Sequence, residues 1–505
     1  MSIVTRIPPS PTGMFHIGSL RTALYDYLLA KHDGGKFFLR IEDTDRERLV
    51  EGAVQNIVDS LYWANIPPDE GVMLDSKNEL VQVGDDGPYI QSERLDIYEI
   101  YIQKLLDYGK AYYAFDTAEE LEEMRNYQKQ NKQPPRYDKL AMKNSFTLGV
   151  DEAQKRVDAG ENYVVRMIIP ENETITFNDL VRGEISVDTK EVDEQIIRKS
   201  DGFPTYHLAV VVDDNAMGST HILRGEEWIS STPKHILLYR YFGWPEPIFG
   251  HLPVLVNEIG KKLSKRHGDV SVFQFRDKGY LPEALINFVA LLGWNPGTEQ
   301  EIFTLEELIL AFDISKVQKK SAFFDLKKLD WMNEQWIRKI EISDLTLRCI
   351  PYLEQNGLIF DKNTTGWKLK TGEIVDNIWL EKVVALEKER MTVLSELPEA
   401  IKFVFELPEY DKQMLVWKKS TPEDAKKKLK ELTLIIESIT KWDKQTLNDK
   451  IIAWVKENEY GVGDCLWPMR VALCGQQNSP GPFDIAEVLG KDNSIERITI
   501  AIGKL

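Results

Sequence analysis

The chain has 505 residues, of which 43% are hydrophobic and 29% charged, with a net charge of −18. That balance excludes a fibrous or disordered chain and supplies cores for three or more compact units. The acidic excess argues against indiscriminate binding to nucleic acid, although affinity follows local cationic stripes more than total charge.

Residues 2–7 read as a short strand with apolar Ile3, Val4 and Ile7, and Arg6 within it is a charge that needs a partner. Pro8, Pro9 and Pro11 forbid helix and hold an extended turn. Leu20, Ala23, Leu24, Tyr27, Leu28 and Lys31 then fall at helical spacing, Gly34-Gly35 stops the helix, and residues 37–41 read as a second buried strand. Further helices are expected over 45–63 and 97–108. From 110 to about 195 the character changes. Residues 129–136 are polar and end in Pro134-Pro135, a linker-like turn, whereas 164–169, 175–177 and 185–187 have the β-branched look of strands. Residues 206–212 are a run fit for a buried strand that rejoins a parallel sheet. Residues 281–336 read as helical, and beyond 337 amphipathic helices dominate, with Leu429, Leu432, Ile435, Ile436 and Ile439 marking the period.

Other signals are exclusions. Cys349, Cys465 and Cys474 give neither a disulfide framework nor a Cys-x-x-Cys pair. The longest apolar run, 284–294, is interrupted by Asn287 and too short to span a bilayer. The opening residues lack a secretory pattern, so a cytoplasmic location is expected. Internal repeats, a P-loop and a Gly-x-Gly-x-x-Gly fingerprint are all missing.

Two short motifs carry the chemistry. In Pro9-Ser10-Pro11-Thr12-Gly13-Met14-Phe15-His16-Ile17-Gly18-Ser19, His16 and Gly18 fall where a strand meets a helix N-terminus, whose free N–H groups and partial positive charge suit phosphates. An imidazole there can donate to a phosphate oxygen, and a glycine lets a planar base lie against the backbone. In Lys261-Lys262-Leu263-Ser264-Lys265-Arg266, between Gly260 and Gly268, cations gather on a loop able to neutralise a departing pyrophosphate. Either motif alone also fits a blander reading, as a polar helix cap or a solvated basic loop. Together, in this order, they describe an ATP site without a P-loop.

The stretch from Arg6 to Arg48 resembles the opening of the glutamyl-tRNA synthetases of bacterial type, a family of class I aminoacyl-tRNA synthetases. Pro9 to Gly13, His16-Ile17-Gly18 and Arg40-Ile41-Glu42-Asp43-Thr44-Asp45 carry the likeness. Further matches follow in the family's order: Gln91-Ser92-Glu93-Arg94, Ser200-Asp201-Gly202-Phe203-Pro204-Thr205-Tyr206-His207, Arg224-Gly225-Glu226-Glu227-Trp228, the lysine loop, Phe324-Asp325-Leu326 and Pro468-Met469-Arg470. The resemblance implies an α/β fold: a Rossmann-like parallel-sheet catalytic domain with an α+β acceptor-binding insertion, then an all-α anticodon-binding region. Boundaries are expected at 1–109 and 196–250 for the two catalytic halves, 110–195 for the insertion, 251–336 for a lysine-loop and stem-contact domain, and 337–505 for the helical region.

It also implies glutamate–tRNA ligation with ATP and Mg²⁺, by a monomer whose partners are L-glutamate and tRNA(Glu) and not a membrane. Thr12, His16, Gly18, Lys262, Ser264, Lys265 and Arg266 would hold ATP, with His16, Gly18, Lys262 and Lys265 catalytic. Arg6, Ser10, Glu42, Tyr206 and Arg224 would hold glutamate, and Asp45, Arg48, Trp228 and Arg390 would meet tRNA. Arg6 and Arg224 would offer forks to the substrate carboxylates and Glu42 a carboxylate to the ammonium. No metal-ligating side chains are expected, and no zinc, because 110–195 has no cysteine.

Two positions depart from the family: Pro8 where alanine is common, and Val210 where many relatives have asparagine. The second puts side-chain recognition in doubt. Several alternatives stay open: an enzyme that also charges tRNA(Gln), a small-molecule nucleotidyltransferase, and a non-catalytic RNA-binding derivative. The lysines Lys418-Lys419, Lys426, Lys427, Lys428 and Lys430 fit an exposed helix face as well as RNA contact.

Overall fold

The computed structural model describes residues 2–263, 270–362, 366–418 and 420–505. They form two compact units, one of residues 1–276 with 282–326 and the other of residues 277–281 with 327–505. The division lies upstream of the 336/337 boundary read from the sequence.

The first unit is built on parallel strands. Val4–Ile7, Lys36–Leu39 and Glu70–Leu74 pair in parallel, and Leu80–Val83 closes that sheet antiparallel. A second sheet runs His221–Gly225, Ile248–Leu252, Thr174–Asp179, Gly183–Asp188. The two meet at Val4, whose N–H donates to Thr220 Oγ1 at 2.9 Å and whose carbonyl accepts from Thr220 N–H at 3.0 Å. The turn read from Gly34-Gly35 is sterically strict. A Cβ on Gly35 would lie 2.0 Å from the Ile3 carbonyl oxygen, so only glycine lets the second strand begin beside the first. A third, antiparallel sheet consists of Ala111–Ala114, Val164–Met167 and Ile196–Arg198, with helix Ala118–Gln130 between its first two strands in the chain. Of the stretch 110–195, Thr174–Asp179 and Gly183–Asp188 belong instead to the second sheet.

Two readings change. Residues 206–212 are not a strand but the start of helix Tyr206–Ala216. Leu208 to Val212 are all buried in the core with Ile222 and Ile236, so the run shows no periodicity that would separate a buried helix from a buried strand. The strand that rejoins the sheet is His221–Gly225. Over 45–63 the helix is Ala53–Trp63, starting after Gly52 at φ 75°, with only a short 3-10 turn, Arg46–Arg48, ahead of it.

The second unit is helical, including Ile342–Gln355, Pro422–Ser438, Lys444–Glu457, Val462–Cys474 and Lys491–Lys504. It is not all-α, because Ile359–Phe360, Trp367–Leu369 and Ile374–Val375 form a small antiparallel sheet. Helix Pro422–Ser438 buries Leu429, Leu432 and Ile436, as its period predicts. Lys428 on it is buried and pairs with Asp424 at 2.6 Å, which supports the helix-face reading for that lysine; Lys419 lies outside the described residues.

Candidate active site

The first motif folds as read. Helix Ile17–His32 starts at His16, the N-cap, with φ −87° and ψ 147°. His16 Nδ1 accepts the Gly18 N–H at 2.9 Å, which puts the ring proton on Nε2, the nitrogen able to donate to a phosphate. A Cβ on residue 18 would approach that Nδ1 to 3.2 Å, so Gly18 keeps the cap unhindered. The cationic loop is anchored to the same place from both ends. Upstream, Lys262 bridges to Val256; downstream, Ser271 bridges to His16 and the Ile17 N–H donates to the Val270 carbonyl at 2.8 Å. Lys262 Nζ pairs with Glu227 at 2.8 Å at the surface. Ser264, Lys265 and Arg266 lie outside the described residues.

A cavity of about 1030 Å³ opens over this helix end. Of the expected residues, Arg6, Ser10, His16, Gly18, Glu42, Asp45, Arg48, Tyr206, Arg224, Trp228 and Lys262 line it. Thr12 does not; its N–H donates to the Ser10 carbonyl at 2.8 Å. Asp45 and Arg48 pair with each other at 2.6 Å near the rim, and Trp228 is 38% exposed. Pro8 lines the cavity, whereas Val210 is 1% exposed in the core and does not. Arg390 belongs to the other unit, where its Nε pairs with Glu387 at 3.2 Å.

Arg6 and Glu42, which line the cavity, belong to a network of buried charge. Arg6 forks onto Asp214, Nε to Oδ1 at 2.9 Å and Nη2 to Oδ2 at 3.0 Å. Arg40 donates to Asp214 at 2.8 Å and to Glu42 Oε1 at 3.1 Å. Burial works against ionising Asp214, but Arg6 and Arg40 outweigh it and hold the carboxyl below its usual range. Glu42 is different: burial pushes its pKa up to about 7, with Arg40 opposing. Most of the Arg6 fork is therefore committed to protein, and only its buried Nη1 lacks a hydrogen-bond partner. Asp213, next in the chain to Asp214, accepts from Gln91, Arg94 and Tyr98 at 2.7–2.8 Å.

Arg224 is 6% exposed and meets five acceptors: His251, His235, Tyr206, Thr232 and the Trp228 carbonyl. The Tyr206 ring packs on Trp228 with centroids 4.6 Å apart. Sequence reading did not find Arg40 as a bridge, nor Asp214, His235, His251 and Thr232. The one signal was that Arg6 demanded an acid.

One cavity thus brings together the N-terminus of helix Ile17–His32, Lys262 and the polar side chains of Arg6, Glu42, Tyr206 and Arg224. Residues 2–331 match the class I tRNA synthetases (E and Q), catalytic domain, and residues 344–502 match an anticodon binding domain. The chain belongs to this synthetase family. Its relatives include a glutamate–tRNA ligase of Finegoldia magna, 44% identical with 99% of each chain covered, and one of Clostridioides difficile, 43% identical with 99% of this chain and 98% of the other covered. A crystal structure of a glutamate tRNA ligase from Elizabethkingia meningosepticum, in complex with its amino acid, superposes with a TM-score of 0.87 at 35% identity, covering both synthetases fully.

Proposed function

We propose that this chain activates L-glutamate with ATP and transfers the glutamyl group to the 3′ end of tRNA(Glu), releasing AMP and pyrophosphate. The observation that carries this reading is the single cavity that joins His16, Gly18 and Lys262 to Arg6, Glu42, Tyr206 and Arg224.

In the first step the substrate carboxylate attacks the ATP α-phosphate in line. In the second, a terminal ribose hydroxyl of the tRNA attacks the mixed anhydride. Neither step needs a nucleophile from the protein, so positioning and charge stabilisation suffice. His16 Nε2–H and the helix N-terminus hold phosphate, and Lys262 with Lys265 meets the leaving pyrophosphate. Glu42 takes the ammonium. Arg6 Nη1, Arg224 and the Tyr206 hydroxyl serve the carboxylates, and Val210, away from the cavity, takes no part. Ser264 and Arg266 belong to the ATP loop, Thr12 to the turn that leads to it, and Asp45, Arg48 and Trp228 to the tRNA side of the rim.

Mg²⁺ comes with the ATP phosphates as part of the substrate. Among the described residues no cluster of three or more His, Cys, Asp or Glu side chains is placed to hold a metal, and neither a protein-bound ion nor zinc is proposed. We place the protein in the cytoplasm as a monomer; no described helix is long and apolar enough to cross a membrane. The test is ATP-dependent charging of purified tRNA(Glu) and tRNA(Gln) with glutamate and with glutamine. Failure to charge tRNA(Glu) with glutamate would overturn the reading.

The titration of Glu42 gives a pH dependence with a definite sign. Its pKa of about 7 in the free protein means that it is largely protonated at pH 6 and largely ionised at pH 8. Only the carboxylate pairs with an ammonium, so the KM for glutamate is expected to fall as pH rises across this range. The limiting slope is about tenfold per pH unit below the pKa, as one linked proton requires. Glu42→Gln should flatten that slope. A wild-type KM that is constant from pH 6 to 8 would refute the assignment.

For tRNA choice we propose a discriminating enzyme in which Arg390 contributes. The third anticodon base is cytosine for glutamate and guanine for glutamine, and a good contact to a base edge discriminates by about 1–3 kcal/mol. Arg390 is 43% exposed at its side chain while paired to Glu387, which leaves part of its fork at the surface. Arg390→Gln is expected to narrow the preference for tRNA(Glu) over tRNA(Gln). An unchanged ratio makes Arg390 a structural partner of Glu387, and equal charging by the wild type removes the discriminating reading altogether.

A further inference from the structure

The hydrogen bonds of Arg224 divide into two sets by length and by side. Three are short: Nη2 to Thr232 Oγ1 at 2.7 Å, Nε to His251 Nε2 at 3.0 Å and Nη1 to His235 Nδ1 at 3.0 Å. None of these three acceptors lines the cavity. Two are long: Nη1 to Tyr206 Oη at 3.3 Å and Nη2 to the Trp228 carbonyl at 3.4 Å. Both of those residues do line it. The guanidinium is thus gripped from behind, and the donors on its cavity side are weakly held, where an incoming carboxylate can displace longer bonds.

The grip is itself specified. An arginine has no acceptor, so His251 must present a bare Nε2 to it and carry its proton on Nδ1. That proton meets Asp179 Oδ2 at 2.5 Å. The other Asp179 oxygen accepts the backbone N–H groups of Val181, Arg182 and His251 at 3.0, 2.8 and 3.2 Å, so the carboxylate is fixed on both sides. His251 and Asp179 are both buried. Likewise His235 presents Nδ1 to Arg224 and its Nε2 lies 3.0 Å from His207 Nδ1. Burial lowers the pKa of His235 and His251, with Arg224 adding to it in both and Asp179 opposing it at His251, so both rings favour the neutral form. Unlike Arg6, which Asp214 neutralises directly, Arg224 makes its five hydrogen bonds to neutral groups, and Asp179 reaches it only through the His251 imidazole. It presents an unneutralised cation to the pocket.

We propose that Asp179 and His251 are positioning residues that aim Arg224 at the substrate side chain and so set the choice of a carboxylate over a carboxamide. This deepens the glutamate reading above and rests on it. A carboxylate gains both the charge and two acceptor oxygens at Arg224, whereas a carboxamide offers one acceptor and turns an N–H₂ against a donor. If the guanidinium swings away from its anchors, that advantage shrinks while the phosphate end of the cavity is untouched.

The test uses the full chain with tRNA present and measures ATP–pyrophosphate exchange driven by glutamate or by glutamine. His251→Leu removes the acceptor for Arg224 Nε. It is expected to raise the KM for glutamate by up to about 100-fold, the scale of a 1 Å misplacement, and to narrow the glutamate-to-glutamine ratio of kcat/KM. The KM for ATP should stay within about twofold. His251→Gln, which can again offer a neutral acceptor, should recover most of the loss, and Asp179→Asn should fall between the two. A glutamate KM and a selectivity ratio unchanged in a folded His251→Leu protein would overturn the proposal. So would a loss shared equally by ATP, which would make the pair merely structural. Should His251→Leu not fold, the same two outcomes are read from Asp179→Asn, for which a loss is also expected. Wild-type exchange with glutamate separates the two readings, because its absence defeats the glutamate assignment itself rather than the role of the Asp179–His251 pair.

Discussion

Lys265→Ala is expected to lower ATP–pyrophosphate exchange by about 10²–10³-fold, the usual cost of deleting one donor that stabilises charge in a transition state, without a change in unfolding temperature. Lys265 lies in the loop whose two ends the fold ties to the cavity, through Lys262 and Leu263 at the rim and through Val270 and Ser271 against Ile17 and His16. Lys265 itself lies outside the described residues, and its service to the pyrophosphate is the proposal that this variant tests. The exchange is run with tRNA present. Unchanged exchange would sink the assignment of the loop to the pyrophosphate. A fall matched by a lower unfolding temperature would move Lys265 from chemistry to structure.

Asp214→Asn should be costly in a different currency, the stability of the first unit. Asp214 is 1% exposed and carries Arg6 and Arg40 at 2.8–3.0 Å. The amide keeps the volume but removes the charge and turns a donor toward two guanidinium groups. Breaking a buried ion pair from one side typically costs about 3–5 kcal/mol, because the remaining charge stays buried without compensation. A lower urea midpoint is the readout, together with a raised KM for glutamate, since Arg6 loses the fork that holds it. An unfolding free energy within about 0.5 kcal/mol of wild type, the ordinary scatter of a surface substitution, would show that the network does not support the fold.

Legibility in the sequence followed the local punctuation. Prolines 8, 9 and 11, the His16 cap and Gly34-Gly35 bracket a strand, a helix and a strand, and the structure has Val4–Ile7, Ile17–His32 and Lys36–Leu39. Residues 206–212 failed because a run buried on every side has no face to betray its period. The small sheet in the helical region failed for length, with strands of two or three residues. At the site, motif residues were readable and their supports were not. Arg6 announced that a partner must exist, but Asp214 lies 208 residues away. His251 and Asp179 carry no motif, and their meaning appears only when strands Ile248–Leu252 and Thr174–Asp179 lie side by side, pairing Phe249 with Asp179. Expected roles also shifted in kind. Both arginines meant for substrate turned out to be bound mostly to protein, and their service to a ligand depends on the donors left over.

The link between Arg6 and Asp214 also orders events in time. Arg6, Arg40 and Arg94 all lie in the N-terminal stretch, while the acids that neutralise them, Asp213 and Asp214, share one helix beyond the insertion. At about 5–20 residues per second on the ribosome, 208 residues separate the two sides by roughly 10–40 s. During that interval the nascent chain holds Arg6 and Arg94 without the carboxylates that meet them in the folded protein, and Arg40 with Glu42 alone. Water has to hydrate Arg6 and Arg94 meanwhile, and burying them before their carboxylates arrive would be costly. Only once helix Tyr206–Ala216 has been made are Asp213 and Asp214 available to compensate that burial.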